Sequence, residues 1–482
     1  MLTRSLTTRF GFGAPLAAAA LLALAGAASA VVPTDWTYRV ISRSGASPIA
    51  IPAGATTLSF GDPALNDQGD VVLHYALGSG DGVVRYRASD NSTLTLATSA
   101  TTMDTDFTGS FDVRGSLVAA QRFDGTTQIY DLAGPLQRTF TLGGPAGVTG
   151  SVTRVRFADT GEIGYRAATG AGTSFILDNI PPLVPSRTQF VYQATGATAS
   201  FLYAPTINGS RQLAARVDVP GGTEVRLYNA PGIGGFTTIL STVANGTFNA
   251  ISPLTDLSDT GVVAYLARRS AGSIYELRTS DNRIIAVAGQ GGTVTTNFIN
   301  FAPSISESGL VVFRAQDAVG QAIFAGDGVT LSRVTGAGST ITTNLGPVTL
   351  TSSSGSTFGG NVRVNSQNQI VFNARLITGE DVVLLATPQS AAGNRCSAAD
   401  IADDQGNPLL PGGMTPNNGV NEGDYNAFFN NFFTNQAAGS PADIANDNGN
   451  PLPPFGPAGG VNNGVNEGDY NAFFNTFFNG CP

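Results

Sequence analysis

Between residues 60 and 390 one short pattern returns seven times: a turn with Asn or Asp and Gly, then four to six apolar-alternating residues. It reads Leu65-Asn66-Asp67-Gln68-Gly69 before DVVLHYAL, Asp112-Val113-Arg114-Gly115 before SLVAAQRF, and Ala158-Asp159-Thr160-Gly161 before EIGYRA. It continues as Ile207-Asn208-Gly209-Ser210-Arg211 before QLAARV, Leu257-Ser258-Asp259-Thr260-Gly261 before VVAYLA, Ile305-Ser306-Glu307-Ser308-Gly309 before LVVFRA, and Val364-Asn365-Ser366-Gln367-Asn368 before QIVFNARL. With Gly69, Gly115, Gly161, Arg211, Gly261, Gly309 and Asn368 as markers, the steps are 46, 46, 50, 50, 48 and 59 residues. A unit that small cannot bury its own core, so its copies must pack on one another.

Each marker is followed by a second strand-like run (GVVRYRA, TQIYDL, SFILDN, EVRLYN, SIYELRT, QAIFAGD, DVVLLAT), usually a third (TLTLATSA, RIIAVAG, TLSRVTG), and then a run into the next turn. Four strands per copy is the content of one propeller blade, and period-two alternation excludes a solenoid of helices. The expected fold over residues 31–390 is a mainly β, seven-bladed β-propeller; an open β-solenoid or two sandwiches is the competing architecture. The segment WTYRVISRSG (36–45) resembles TLSRVTGAG (330–338), Thr57 to Leu65 leads into the first turn, and the last copy stops after its second strand at Ala386. The N-terminus is therefore expected to supply the two strands that the last blade lacks, closing the ring and removing free edges. Asn and Gly in the pattern are explained as turn residues that tolerate left-handed backbone. The stretch also resembles the N-x-x-G-x-x-A-F tandem-repeat proteins of bacterial secretomes, most clearly in Ser306 to Phe313 and Asn365 to Phe372. That resemblance implies a propeller-like fold and no particular activity.

The first thirty residues have the layout of a secretory signal. Arg4 and Arg9 open it, Ala14 to Ala28 form a short apolar stretch, and Ala28-Ser29-Ala30 offers a small-residue cleavage site. The apolar run is too short for a membrane span. The expected product begins near Val31, is secreted or surface-located, and carries a net charge that moves from -9 to -11 with the loss of those two Arg. Such an acidic chain is a poor partner for nucleic acid. Every basic residue is Arg, which base composition of the genome explains.

After a linker (391–395), residues 396–482 say one thing twice. Ala399 to Asp404 leads into Asn417 to Phe429, and the set recurs as Ala442 to Asp447 and Asn462 to Phe474, giving two units, 396–435 and 440–481. Nine acids and no Lys or Arg stand in this segment. Carboxylates gathered without basic partners repel one another unless a cation offsets the cost. Oxygen-rich Asp and Asn suit calcium, and the lack of His argues against zinc. The spacing of an EF-hand loop supports the same ion: with Asp424 as position 12, Asn421 falls at 9 and Asn417 at 5, and with Asp469 as position 12, Asn466 and Asn462 take those places. Tyr425, Phe428, Phe429, Phe432 and Phe433, and likewise Tyr470, Phe473, Phe474, Phe477 and Phe478, form one aromatic stripe per helix, expected to be buried against each other. Cys396 and Cys481 bracket the pair. A disulfide between them in an oxidising compartment would constrain the unfolded chain by about 4 to 5 kcal/mol.

This segment resembles the dockerin modules, duplicated calcium loop-helix units of secreted bacterial proteins, in the variant that opens with Cys and ends in Gly-Cys, here Cys396 and Gly480-Cys481. The resemblance implies an EF-hand-like α-helical module and a protein partner, cohesin-like or a cell-surface component. It also implies Asp400 and Asp443 as first calcium ligands, with Asp404 and Asp447 next. The chain departs from the family where Pro/Gly-rich insertions, Asn407 to Pro416 and Asn450 to Gly460, split each loop. An aromatic helical hairpin with Asx-rich turns and no metal is the alternative.

No catalytic constellation is legible. His74 is the only histidine and falls in an expected strand, where a surface or satisfied core role is expected. Ser258-Asp259-Thr260-Gly261 resembles the Asp-box turn of sialidase-like propellers but lacks the Trp that ends it, so it reads as a turn. Asp62, Asp112, Asp159, Asp256, Glu307 and Glu380 are available acids, yet sequence places no two of them on one face. The reading is an exported, non-enzymatic binding or scaffold propeller with a carbohydrate or protein ligand, displayed or assembled through its calcium module. The alternative is a secreted polysaccharide hydrolase with the same module. An acidic pair with raised carboxyl pKa at the ring mouth would favour the enzyme, and a mouth lined with Asn, Thr and Tyr would favour binding.

Overall fold

The structure is a computed structural model that describes residues 32–45, 55–58, 62–77, 80–87, 91–99, 107–122, 126–133, 136–141, 148–157, 162–170, 172–179, 188–229, 235–289, 294, 298, 301–352, 357–388, 398–402, 420–434, 442–451 and 464–478. The described strands fall into seven sheets, one per copy of the repeat and antiparallel apart from one parallel pairing of Trp36–Arg43 in the last, and these are the blades of a β-propeller. Blade 5 shows the plan: Phe248–Leu257, Val263–Arg269, Tyr275–Thr279 and Ile284–Val287 pair in sequence order. The other described elements of regular helix are two short ones near the C-terminus. No described helix is long and apolar enough to cross a membrane.

The phase of the blades differs from the sequence expectation. The run before each turn belongs with the strand after it, because the turn folds the chain straight back on itself. In blade 1 Asn66 N–H donates to Asp70 O and Gly69 N–H to Asn66 O, and Ala64–Leu65 pairs with Val71–Leu77. Ala55–Leu58 joins the same sheet. The N-terminal segment therefore gives the last sheet one strand rather than two: Trp36–Arg43 runs antiparallel to Asp381–Pro388, from Trp36 opposite Pro388 to Arg43 opposite Val382. Its place there matches that of Leu331–Gly336 in blade 6, as the likeness of the two segments implies. A hairpin of Thr340–Thr343 and Gly346–Thr349 extends that sheet on its far side.

Backbone at the markers explains their identity. Gly69, Gly115, Gly261 and Gly309 have φ between +52° and +87°, and Arg211 and Asn368 sit at +63° and +58°. Gly161 lies outside the described residues. The turn Asn, three residues earlier, does something else. Oδ1 of Asn66, Asn208 and Asn365 accepts the N–H four residues on, at 2.7 to 2.9 Å, and Nδ2 donates to the turn carbonyl of the next blade, Gly115, Ser258 and Asn66 respectively. Ser258 and Ser306 keep the first of these bonds through Oγ. One side chain thus closes its own turn and ties two blades.

Five residues after the marker, Arg166, Arg216 and Arg314 reach into the next blade, donating to Leu202 O, Ile251 O and Phe358 O. Each guanidinium lies over an aromatic ring, Phe201, Tyr203 and Phe301, at 4.0 to 4.9 Å. The planar fork suits this double duty of donation and stacking. Between blades, apolar faces pack into separate clusters, as Val72, Val83, Phe111 and Val118 do between blades 1 and 2. Asn361 joins blades 6, 7 and 1: its Oδ1 accepts Ala302 N–H at 2.8 Å, and its own N–H donates to Asp62 Oδ1 at 2.8 Å.

Candidate functional site

Turns of blades 1, 2, 5, 6 and 7 meet around one cavity, and in four of them the residue two before the marker is polar and lines it. These are Asp67 in blade 1, Asp259 in blade 5, Glu307 in blade 6 and Ser366 in blade 7, which line a cavity of about 90 Å³ with Asn66, Arg114, Ser258 and Asn365. Asp259 Oδ1 accepts Gly209 N–H of blade 4 at 2.8 Å, and Asp67 Oδ1 accepts Ser366 N–H at 2.9 Å. Arg114 crosses from blade 2 to pair with Asp259 Oδ2. Glu307 shares a hydrogen bond with Asp259, which together with burial and the charge of Asp67 pushes its carboxyl up to about 7. Burial pushes Asp259 upward too, but the Gly209 amide, Glu307 and Arg114 outweigh it and hold this carboxyl below its ordinary range. Two acids in contact share one proton rather than ionise together.

Deeper along the axis, Arg156 of blade 3 contacts Asp112 Oδ1 at 3.2 Å, and its charge acts on Asp256 of blade 5, with Arg363 Nη1 3.9 Å from Asp256 Oδ1. Asp112 and Asp256 also accept N–H groups of the following blade, from Phe157 at 2.7 Å and Ile305 at 3.0 Å. Burial pushes Asp256 up to about 6, against the pull of Arg156 and the Ile305 amide. Of the other acids open at the sequence level, Asp62 holds Asn361, Glu380 pairs with Arg43 at 2.8 Å, and Asp159 lies outside the described residues. His74 Nε2 sits 2.7 Å from Asp81 Oδ2, largely enclosed, while its buried Nδ1 has no hydrogen-bond partner among the described residues. An acidic pair is present at the mouth, but only one of its carboxyls, Glu307, is raised. Reading the column two residues before the markers would have revealed it.

Two features set that pair apart from a glycosidase centre. Glycosidase carboxyls stand roughly 5 to 9.5 Å apart with substrate between them, whereas these are hydrogen-bonded to each other. Ligand pockets run to roughly 300 to 1,000 Å³, well above the 90 Å³ here.

A second pocket, of ligand size, shares no lining residue with that one. It encloses about 500 Å³ among Arg216, Ala250, Ile251, Ser252, Pro253, Leu266, Tyr275 and Phe298. The pairing of Phe248–Leu257 skips between Ile251 and Thr255, so Ser252 to Leu254 leave the ladder at this point. Arg216 is held by Ile251 O at 2.8 Å and Asp218 Oδ1 at 2.9 Å. The walls offer two aromatic rings, the hydroxyls of Ser252 and Tyr275 and a guanidinium, and no carboxylate among the described lining residues.

In the C-terminal segment, α1 (Glu422–Thr434) and α2 (Glu467–Phe477) pack through Phe428 and Phe473, stacked at 4.0 Å and 13° and fully buried. The stripes are only partly covered: Phe429, Phe432, Phe474 and Phe477 are half-buried, while Tyr425, Tyr470, Phe433 and Phe478 are exposed, the last two by 71% and 77%. The alternating burial follows from two helices that meet along one row and leave the next row wet.

Asp424 Oδ1 accepts N–H from Ile401 at 2.6 Å and Ala402 at 2.8 Å, and Oδ2 accepts Asn421 N–H at 2.9 Å. Asp469 repeats this with Ile444, Ala445 and Asn466 at 2.7, 2.7 and 2.8 Å, completing a capping box on α2. Asn421 and Asn466 cap the following Gly423 and Gly468 amides. Asn466 Nδ2 donates to Asp447 Oδ1 at 2.8 Å, and the charge of Asp443 reaches Asp469. Burial raises the pKa of both Asp424 and Asp469 in spite of their three amides. The fit to calcium is therefore partial. Asp443, Asp447 and Asn466 gather at the head of α2 and Asp400 is buried near α1, but Asp424 and Asp469 are committed as caps, and among the described residues no three acidic side chains converge on one point. Asp404, Asn417, Asn462, Cys396 and Cys481 lie outside the described residues.

No protein-family model matches the chain, and no curated protein is similar to it. Similar solved structures include oligogalacturonate lyase from Vibrio parahaemolyticus (10% identity, 74% of this chain and 98% of that one, TM-score 0.47). Oligogalacturonate lyase in complex with manganese (11%, 75% and 98%, 0.46) and the β-propeller domain of the Trilobed protease from Pyrococcus furiosus (11%, 70% and 94%, 0.40) stand beside it. Likeness at this level leaves activity open, and the fold rests on the sheets themselves.

Proposed function

We propose that this is an exported, non-enzymatic propeller that binds a carbohydrate or protein ligand and is displayed or assembled through a calcium-dependent, dockerin-like module. One observation carries the choice of binding over hydrolysis: the axial acid pair and the pocket by Tyr275 share no lining residue. The pocket of about 500 Å³ has Tyr275, Phe298, Ser252 and Arg216 but no acid among its described lining, and the carboxyl pair sits in 90 Å³. Aromatic faces with a few fixed polar groups recognise a sugar ring or a peptide side chain; hydrolysis of a glycosidic bond needs a separated acid pair. The ring would be shut by its terminal strands, an arrangement supported by the Trp36–Arg43 pairing with Asp381–Pro388.

Support for the module comes from its charge, four buried carboxylates (Asp400, Asp424, Asp443, Asp469) in a segment without Lys or Arg. Calcium there would be held by Asp443, Asp447 and Asn466 in the second unit and by Asp400 in the first, offsetting that charge. The exposed Tyr425, Phe433, Tyr470 and Phe478 suit a cohesin-like or cell-surface protein partner. A polysaccharide-hydrolase reading keeps one supporting observation, the raised Glu307 carboxyl beside Asp259. A soluble-glycan binding array run beside a hydrolysis panel tests the choice. Retention of a glycan that Tyr275→Ala abolishes, with no product formed, is expected; product formation lost in Glu307→Gln would reverse it.

A further inference from the structure

The residue five after the marker ties three blades to the next one, and in blade 5 it is too short to do so. Arg166 of blade 3 donates to Leu202 O, Arg216 of blade 4 to Ile251 O and Arg314 of blade 6 to Phe358 O. Each acceptor stands at one register, opposite the residue six after its own marker: Leu202 faces Val217, Ile251 faces Ala267 and Phe358 faces Ala374. In blade 6 that register belongs to Phe298, opposite Ala315, and the blade 5 residue in the column of the arginines is Leu266. The ring under the guanidinium is replaced as well. Tyr203 and Phe301, eight before their markers, lie 4.3 Å and 4.0 Å from Arg216 and Arg314, and the same place in blade 5 holds Pro253. Leu266, Pro253 and Phe298 all line the pocket of about 500 Å³.

We propose that this pocket is a vacant guanidinium seat whose ligand is an arginine side chain of a partner polypeptide; this rests on the binding reading above and chooses protein over carbohydrate. The neighbouring blades show what such a seat requires. Arg314 is held by Phe358 O at 2.7 Å and Gln321 Oε1 at 3.1 Å, and Arg166 by Leu202 O at 3.0 Å, each against a ring, so carbonyl oxygens and an aromatic face suffice without a carboxylate. In blade 5 Leu266 and Pro253 leave the matching space open, and Phe298 brings a carbonyl at the matching register. Among the described residues no guanidinium stands over the Phe298 ring, while Arg268 already stands 5.9 Å from that of Tyr275, so these walls tolerate a cation. The charge of Arg216 at the border is met by Asp218 Oδ1 at 2.9 Å. A planar fork that donates and stacks at once fits the seat better than an ammonium does, and the chain's net charge of -9 draws cationic partners.

Titration of the full-length protein into two end-blocked peptides, Gly-Gly-Arg-Gly-Gly and its citrulline counterpart, followed by broadening of the peptide resonances, tests this. The arginine peptide should bind saturably, and the citrulline peptide, of the same shape without the charge, at least tenfold more weakly. Leu266→Arg should fill the seat from within and weaken binding at least tenfold. Phe298→Ala, at a half-buried position, should weaken it at least fivefold and serves the test even where Leu266→Arg fails to fold. Equal binding of the two peptides, or an affinity that Phe298→Ala leaves unchanged, would overturn the inference. A glycan retained through Tyr275 by a protein that ignores the arginine peptide would overturn it and leave the binding reading standing, whereas retention of neither would overturn both.

Discussion

Asp424 and Asp469 each hold three backbone amides at corresponding positions of the two units, two from the segment just upstream of the loop and one from the helix cap. The duplication seen in the sequence is thus a duplicated carboxylate cap as well as a duplicated aromatic stripe. Replacing Asp469 with Asn keeps one acceptor oxygen and loses the other, leaving at least one buried N–H unpaired at about 1 to 3 kcal/mol. We expect earlier proteolysis of α2 in the full-length chain, and a matching effect on α1 for Asp424→Asn.

The stacked Phe428 and Phe473 are the centre of the helical pair. Phe428→Ala should cost about 3 to 5 kcal/mol, and Phe433→Ala, at an exposed position, almost nothing. Near-ultraviolet circular dichroism and melting of the two variants separate these outcomes.

Two residues of one turn should respond differently in the last blade. Asn365 accepts Gln369 N–H and donates to Asn66 O of blade 1 while buried, so Asn365→Ala should destabilise the ring by about 2 to 3 kcal/mol. Asn368 sits at φ +58° and its buried Oδ1 accepts the Ser308 hydroxyl of blade 6 at 3.0 Å, so Asn368→Gly should cost about 1 kcal/mol for that bond and Asn368→Ala about 1 kcal/mol more for the left-handed backbone. Chemical denaturation of the three variants checks the order.

These positions also show how far the sequence could be read. Blade number followed from the markers, and the left-handed backbone at Gly69, Gly261, Gly309 and Asn368 followed from their residue types. The phase did not, because alternation says where a strand lies but not which side of a turn it pairs with. Tolerance of left-handed backbone explains an Asn in the turn but not its amide's inter-blade tie, a bond between residues 49 or 299 apart that only packed blades bring together. The Asp259–Glu307 pair stood in one column of the repeat and was legible there. The pocket by Tyr275 and Phe298 was not, since it depends on where Ser252 to Leu254 leave the ladder.

Asp256 links the axis to pH. Its folded carboxyl is raised from 3.8 to about 6 by burial, so the folded state holds a proton there that the unfolded chain has already lost. Stability should therefore be greatest below about pH 4 as far as this group is concerned, and should fall as pH rises through 6, by about 3 kcal/mol in total. Asp256→Asn should flatten this slope in denaturation curves taken between pH 4 and 8.

The cation claim is met most directly by calorimetric titration of the full-length protein with calcium, paired with melting before and after chelation. The account predicts saturable binding, a calcium-raised melting transition for the helical segment, and weaker binding in Asp447→Ala. No heat of binding, together with melting that chelation leaves unchanged, would contradict it.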